Sequence, residues 1–277
     1  MSSFSLGFLC VGPQRTGTSW LHEMLCRHPK LSLPQDVKET RFFDKHYDRG
    51  LNWYAQYFST KDYSQKYGEV GSTYFDSPVV PNRVCNIAPQ CAIIISLRHP
   101  AERAFSLYLH HLRKGRVQRP FQAAVEQKPR IIESGRYATH IPRWQSTFGE
   151  EQVHFVFLDD IKNQPYAVLH RICQWLGVRE VEWPEYVNEK YNAAKVSQFP
   201  WLSKQIEWLT SMLHSYKLHQ VVEYGKKLGL KEAIYSEGED EIPKLSDEDR
   251  IQLIEEYNND ISFVEKVTGR DISCWRK

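Results

Sequence analysis

Residues 8–25, Phe8-Leu9-Cys10-Val11-Gly12-Pro13-Gln14-Arg15-Thr16-Gly17-Thr18-Ser19-Trp20-Leu21-His22-Glu23-Met24-Leu25, decide the fold. An apolar run from Phe8 to Val11 stops at Gly12-Pro13, and a short polar loop follows. From Thr18 the pattern changes: Leu21, Met24, Leu25 and His28 fall at i, i+3, i+4 and i+7, the spacing of one helix face. Strand, tight loop and helix aim backbone N–H groups at whatever anion sits at the helix start. Gly17 lets the backbone come close to such a ligand, the hydroxyls of Thr16, Thr18 and Ser19 add polar contacts, and Arg15 adds a forked, permanently charged donor. The loop reads as a phosphate cradle. Gly12 and Gly17 have the Walker A interval, but Thr18-Ser19 stand where Lys followed by Ser or Thr is required. An ordinary strand-to-helix turn has the same outline, so a second element must decide.

That element is Ile93-Ile94-Ile95-Ser96-Leu97-Arg98-His99-Pro100, which continues through Ser106 to Tyr108. A β-branched run again ends in a polar turn, and Pro100 occupies the position a helix accepts as its first residue. Arg98 follows the strand, at the edge where open α/β sheets bind ligands. Two such units on one sheet edge, each with an Arg and hydroxyls, suit a ligand with two separated phosphates.

These residues carry a resemblance. Gly12 to Ser19 resembles the 5′-phosphosulfate loop of the PAPS-dependent sulfotransferases, and Leu97-Arg98-His99-Pro100 with Ser106 resembles their 3′-phosphate element. Lys38-Glu39-Thr40-Arg41-Phe42-Phe43 is similar to the Lys-Glu-x-x-Phe-Phe segment of the heparan-sulfate branch. Gly135-Arg136-Tyr137-Ala138-Thr139-His140-Ile141, followed by Trp144, is similar to a later segment of its N-sulfotransferase domains. Order and spacing agree from about residue 7 to residue 178. The rest agrees loosely, in the manner of small standalone bacterial members, and cyanobacterial natural-product enzymes, including those that sulfate guanidinium toxins, are similar too.

The resemblance implies an α/β fold: a P-loop-like open parallel sheet flanked by helices, with a helical C-terminal part. One domain spans 1–277, with its core in 4–180 and a lid and C-terminal helices in 181–277. It implies metal-independent sulfuryl transfer from PAPS (3′-phosphoadenosine 5′-phosphosulfate), with PAP as product. Thr16, Gly17, Thr18 and Ser19 would hold the 5′-phosphate, Arg98 and Ser106 the 3′-phosphate, with Tyr137 bordering it. Arg15 would stabilise charge on the bridging oxygen. The heparan-sulfate branch has Lys there, and Arg does not give up its proton, so Arg15 is an electrostatic stabiliser rather than an acid. Glu39 matches the proposed base, and His140 matches a residue beside the reacting centre, although a packed histidine one turn before Trp144 is the plainer reading. Tyr74 and Asp76 are candidate acceptor contacts. Asp36 and Asp76 are the carboxylates that a guanidinium acceptor would want; saccharide or glycolipid acceptors are the alternative. Lys190 and Lys195 are candidate lid cations in 184–200.

The 277 residues suffice for a single α/β domain. With 36 basic and 34 acidic residues the net charge is +2, which gives no global argument for nucleic acid or an anionic membrane as partner; a small-molecule acceptor is expected, and the oligomeric state stays open. The six cysteines have no CxxC spacing, and most sit in apolar positions that read as buried free thiols. No basic leader and no apolar run of about 18 residues is present, so a cytoplasmic enzyme is expected.

Elsewhere, Trp53, Tyr54, Tyr57 and Phe58 repeat at helical spacing and read as a packed aromatic face, with a sugar platform as the alternative. Three or four parallel strands are expected, with a strand over Val153–Leu158 ended by Asp159-Asp160 and a helix from Tyr166 to Leu176 stopped by Gly177. Arg113, Lys114, Arg116 and Arg119 read as a solvated helix end or an acceptor-facing cluster. Residues 201–229 read as one or two amphipathic helices, and Ser246 as the N-cap of a last helix. Two rival classes remain: a P-loop kinase or NTPase, disfavoured by the missing Lys, and a catalytically silent nucleotide-binding module, disfavoured by the presence of Glu39.

Overall fold

The computed structural model describes residues 4–58, 65–183, 187 and 243–277. The expectations for the lid, Lys190, Lys195 and the helices of 201–229 lie outside them. The sheet has five strands, β1 (Leu6–Cys10), β2 (Leu31–Ser32), β3 (Lys66–Val70), β4 (Ala92–Leu97) and β5 (Val153–Phe157), in the order β2-β3-β1-β4-β5. Every pairing is parallel. The expectation of three or four strands falls short because β2 is a two-residue edge piece, too short to show a period.

The first seven helices are α1 (Thr18–Cys26), α2 (Phe42–Lys45), α3 (Leu51–Ala55), α4 (Val80–Ile87), α5 (Pro100–Arg113), α6 (Phe121–Gln127) and α7 (Arg130–Glu133). They are followed by α8 (Tyr137–Phe148), α9 (Leu158–Asn163), α10 (Pro165–Leu176), α11 (Asp247–Glu256) and α12 (Asn258–Thr268). Asp159 and Asp160 do not simply end β5. They are the acidic first turn of α9, where the helix dipole favours carboxylates. Gly177, at φ 66°, closes α10 as expected.

Alternation along β1 and β4 explains the layering. Leu9, Val11, Ile93, Ile95 and Leu97 face one layer with Phe42, Phe43, Tyr54, Trp144 and Ile261. Phe8, Cys10 and Ile94 face the other, against α1 and α10. Both faces are covered, which is why the central strands read as near-continuous apolar runs. Tyr54, Tyr57 and Phe58 are buried in the first layer, so the aromatic repeat is core rather than a sugar platform. A third cluster joins Ala104, Leu107 and Tyr108 of α5 to Phe121, Ile131 and Tyr257.

The C-terminal segment returns to the core. Ile261 and Val264 of α12 are fully buried in the same layer as Trp144 of α8. The Ser246 hydroxyl accepts from the Asp249 amide and caps α11. Ser246→Ala is expected to cost about 1 kcal/mol, read as a lower urea midpoint with unchanged m. Among the described residues no helix is long and apolar enough to cross a membrane.

Candidate active site

Strand order places the site. The chain leaves β1 toward β2 and β3, then crosses through α4 to β4 on the other side, so β1 and β4 flank the point where the winding reverses. Ligands of open parallel sheets bind outside the carboxyl ends of such strands. The loop after β1 and the turn after β4 both lie there.

Gly12 makes the first loop possible. It presses against β4 so closely that a Cβ would lie 1.9 Å from the Ser96 Oγ. Gly17, at φ 93°, is the residue before α1 and has no side-chain capping bond. The first amides of α1 lack acceptors within the helix and mark the cradle's floor. Arg15 is held at φ 78°, a region costly for a residue with a side chain. Its Nε donates to the Ser106 Oγ at 3.0 Å, a bond between residues 91 apart in sequence. Arg98 donates from Nη1 to the Arg15 carbonyl at 3.4 Å and from Nη2 to Glu102 at 3.2 Å. Arg15, Arg98 and Ser106 are therefore assembled as one group.

That group fits an anion. The buried Arg98 Nε has no hydrogen-bond partner. Burial, and then repulsion from Arg113 and Arg98, lowers the Arg15 guanidinium to about 10. Burial, with Arg15 next, pushes the His110 imidazole down to about 3. Converging cations with an orphaned donor are what a phosphate group would satisfy.

On the β3 side, the Ser72 Oγ donates to Glu39 Oε1 at 2.6 Å. The Lys38 Nζ lies 3.6 Å from the same oxygen and donates to Thr18 Oγ1 at 3.1 Å and Ser19 Oγ at 3.3 Å. Glu39 is thus tied to the helix-start hydroxyls through its neighbour. Behind it, Glu69 of β3 is completely buried and accepts from the Thr40 amide, the Thr40 hydroxyl and the hydroxyls of Tyr54 and Tyr74. Burial raises the Glu69 carboxyl to about 7 against those donors.

The structure brings Glu39, Arg15, Gly17, Thr18, Ser19, Arg98 and Ser106 to this edge, and it places six other expected residues differently. The Thr16 hydroxyl is buried and spent on the Pro13 carbonyl and Ser96, so only its backbone faces a ligand. Tyr137 is fully buried and donates to the Arg98 carbonyl at 2.7 Å, so its hydroxyl holds the turn that carries Arg98. Tyr74 has no exposed surface and its hydroxyl serves Glu69, so it offers an acceptor nothing. Asp76 is gripped by Arg130 at 2.5 and 2.7 Å. His140 donates from Nε2 to the Glu133 carbonyl and receives Arg143 at Nδ1; burial lowers its pKa, so both nitrogens hold structure. Asp36 is exposed, at φ 65°. Sequence reading assigned no role to Lys38, Ser72 or Glu69. The one available signal was a lone carboxylate in the β3 run Tyr67-Gly68-Glu69-Val70.

A parallel sheet with two Arg-bearing loops at its winding reversal is an arrangement suited to a ligand with two phosphate groups. The chain belongs to the sulfotransferase family: the model described as "Sulfotransferase domain" matches residues 7–223. The bifunctional heparan sulfate N-deacetylase/N-sulfotransferase 1 of Caenorhabditis elegans is 30% identical over 204 residues, 68% of this chain and 24% of that protein. Isoform 2 of Homo sapiens is 32% identical over 192 residues, 62% of this chain and 22% of that protein. The chain thus spans about a quarter of the length of these relatives. The crystal structure of a sulfotransferase from Alicyclobacillus acidocaldarius shares the fold, with a TM-score of 0.70 at 22% identity over 99% of this chain and 100% of that one.

Proposed function

We propose that the protein transfers the sulfuryl group of PAPS to an amine or hydroxyl presented at Glu39. The observation that carries this reading is the convergence of Arg15, Ser106 and Arg98 beside a loop that also reaches Glu39 through Lys38. When bound, the donor supplies an activated sulfuryl group and a phosphate leaving group. The first turn of α1 and the hydroxyls of Thr18 and Ser19 hold the 5′-phosphate, Arg15 stabilises charge on the bridging oxygen, and Arg98 and Ser106 hold the 3′-phosphate. Glu39, oriented by Ser72, takes the acceptor proton at Oε1 or Oε2. The remaining work is positioning and charge neutralisation, as in phosphoryl transfer. No step of this scheme calls for a metal.

The acceptor favoured by the relatives is a sugar amine, since two of them are N-sulfotransferases of heparan sulfate by name. A natural-product acceptor ranks second. Its guanidinium form loses the support expected from Asp76, whose charge is already matched by Arg130. The test is transfer of sulfur-35 from labelled PAPS, without divalent metal, to an oligosaccharide with free glucosamine amines and to a panel of small alcohols and amines. Label on the amino sugar supports the first reading, label on small molecules alone moves the second ahead, and no transfer to any acceptor contradicts the enzymatic reading.

A further inference from the structure

We propose that Glu69 is a positioning residue for the transfer: from inside the sheet it fixes the backbone that presents Glu39 to the acceptor. The inference rests on the reading of Glu39 as base given above. Glu69 lies on β3 and has no exposed surface. Its Oε1 accepts from the Thr40 amide at 2.6 Å, the Thr40 hydroxyl at 2.9 Å and the Tyr74 hydroxyl at 3.1 Å. Its Oε2 accepts from the Tyr54 hydroxyl at 2.8 Å. The Thr40 nitrogen is bonded to the Glu39 carbonyl carbon, so a single hydrogen bond separates the buried carboxyl from the backbone of the base. Thr40 passes the tie onward, because its hydroxyl also accepts from the Phe42 amide at 3.1 Å, at the start of α2.

The segment needs such an anchor. Arg41, two residues after Glu39, is held at φ 57°, a conformation that a residue with a side chain keeps only where its surroundings over-determine it. The other end of the base is tied to the same strand: Ser72, just beyond β3, donates to Glu39 Oε1 at 2.6 Å. Backbone and carboxylate of the base are thus both referred to β3, which pairs in parallel with β1, and the loop after β1 is the donor cradle. A base held on an inner strand keeps its distance to that loop more closely than one on a free loop. A carboxyl suits the task, since its two oxygens offer about four acceptor positions and four donors arrive. Tyr54 stacks on Phe42 at 4.5 Å, so the aromatic layer in turn holds the carboxyl. Being completely buried, Glu69 cannot itself meet an acceptor; its effect on turnover passes through the residues it holds.

Turnover in two backgrounds separates positioning from folding. Glu69→Ala, Glu69→Gln and Thr40→Val are made in the wild type, and Glu69→Ala and Thr40→Val also in Glu39→Gln, with folding checked by circular dichroism. Transfer of sulfur-35 from PAPS to the free-amine oligosaccharide, or to the small molecule that the wild type sulfates, gives kcat, and calorimetry gives PAP affinity. Glu69→Ala is expected to lower kcat about 10²-fold, the effect of a displacement of about 1 Å, and to leave PAP affinity within about twofold. Thr40→Val keeps the amide and the side-chain volume, so it carries the test if Glu69→Ala does not fold; it is expected to lower kcat about tenfold. Glu69→Gln, whose oxygen still accepts from the Thr40 amide, recovers most of the loss. In the Glu39→Gln background both substitutions are expected to lower kcat less than about twofold further, because the group they position is gone. Equal losses in the two backgrounds, a loss of PAP affinity parallel to that of kcat, or full kcat in a folded Thr40→Val would overturn the assignment. A wild type that transfers to no acceptor would overturn the transfer reading itself, a different result from an active wild type whose variants behave alike in both backgrounds.

Discussion

Glu39→Gln is expected to lower kcat by about 10³-fold while leaving the affinity for PAP within about twofold. The substitution is nearly isosteric, and an amide oxygen still accepts the Ser72 bond now seen at 2.6 Å. The side chain therefore keeps its place and loses the ability to take a proton. Donor binding relies on other residues: the first turn of α1, Arg98, Arg15 and Ser106. The variant also removes the negative partner of Lys38 at 3.6 Å, a partly exposed contact expected to have little effect on nucleotide affinity. Steady-state transfer from PAPS, paired with PAP titration, separates the two quantities. A fall in kcat of less than about tenfold, too small for loss of a general base, would move the base elsewhere. A parallel loss of PAP affinity would mean that Glu39 shapes the donor site instead.

Glu69 gives the second large effect, on stability. Burial raises its carboxyl to about 7, so the folded chain binds that proton more tightly than the unfolded chain does. Stabilisation from this group is complete below the ordinary carboxylate range, about 4.5, and is lost as pH rises through about 7. At about 1.4 kcal/mol for each pH unit of displacement the full loss is about 3.5 kcal/mol. The wild type alone does not display it. His22, His99, His110, His140 and His154 are held neutral chiefly by burial and act oppositely, favouring the fold as pH rises through the imidazole range. The comparison with Glu69→Gln isolates the carboxyl, because the Gln oxygen can accept from Thr40 and its amide can donate to the Tyr54 oxygen, and neither titrates. Between pH 5 and pH 8, Glu69→Gln is expected to gain about 2–3 kcal/mol relative to wild type, measured from urea melts. Parallel curves for the two proteins would contradict a buried, titrating Glu69. The same carboxyl holds the Thr40 amide, next to Glu39, so its ionisation also bears on where the base stands.

Local pattern carried the two strand-loop-helix units of the candidate site. A β-branched run broken by Gly12-Pro13 or by Arg98-His99-Pro100, followed by a change of period, is written within a few residues of itself, and so is the stop at Gly177. What was not legible depended on distant partners. Nothing near Asp76 tells that Arg130 will grip it, and nothing near Tyr74 tells that its hydroxyl will turn inward to Glu69. His140 looked reactive by position, but the Glu133 carbonyl and Arg143 use both its nitrogens. Lys38 escaped notice for the same reason: its meaning lies in Thr18 and Ser19, on another element. The return of Ile261 and Val264 to the Trp144 layer is likewise a long-range event that an amphipathic tail does not announce.

The most direct test of the two-phosphate site between β1 and β4 is a metal-free calorimetric titration of wild type and Arg98→Ala with PAP, repeated with Mg²⁺-ATP. One-to-one binding of PAP without metal, preferred over Mg²⁺-ATP and weakened at least about tenfold by Arg98→Ala, is the predicted result. No PAP binding, or a preference for Mg²⁺-ATP that Arg98→Ala leaves intact, would contradict it.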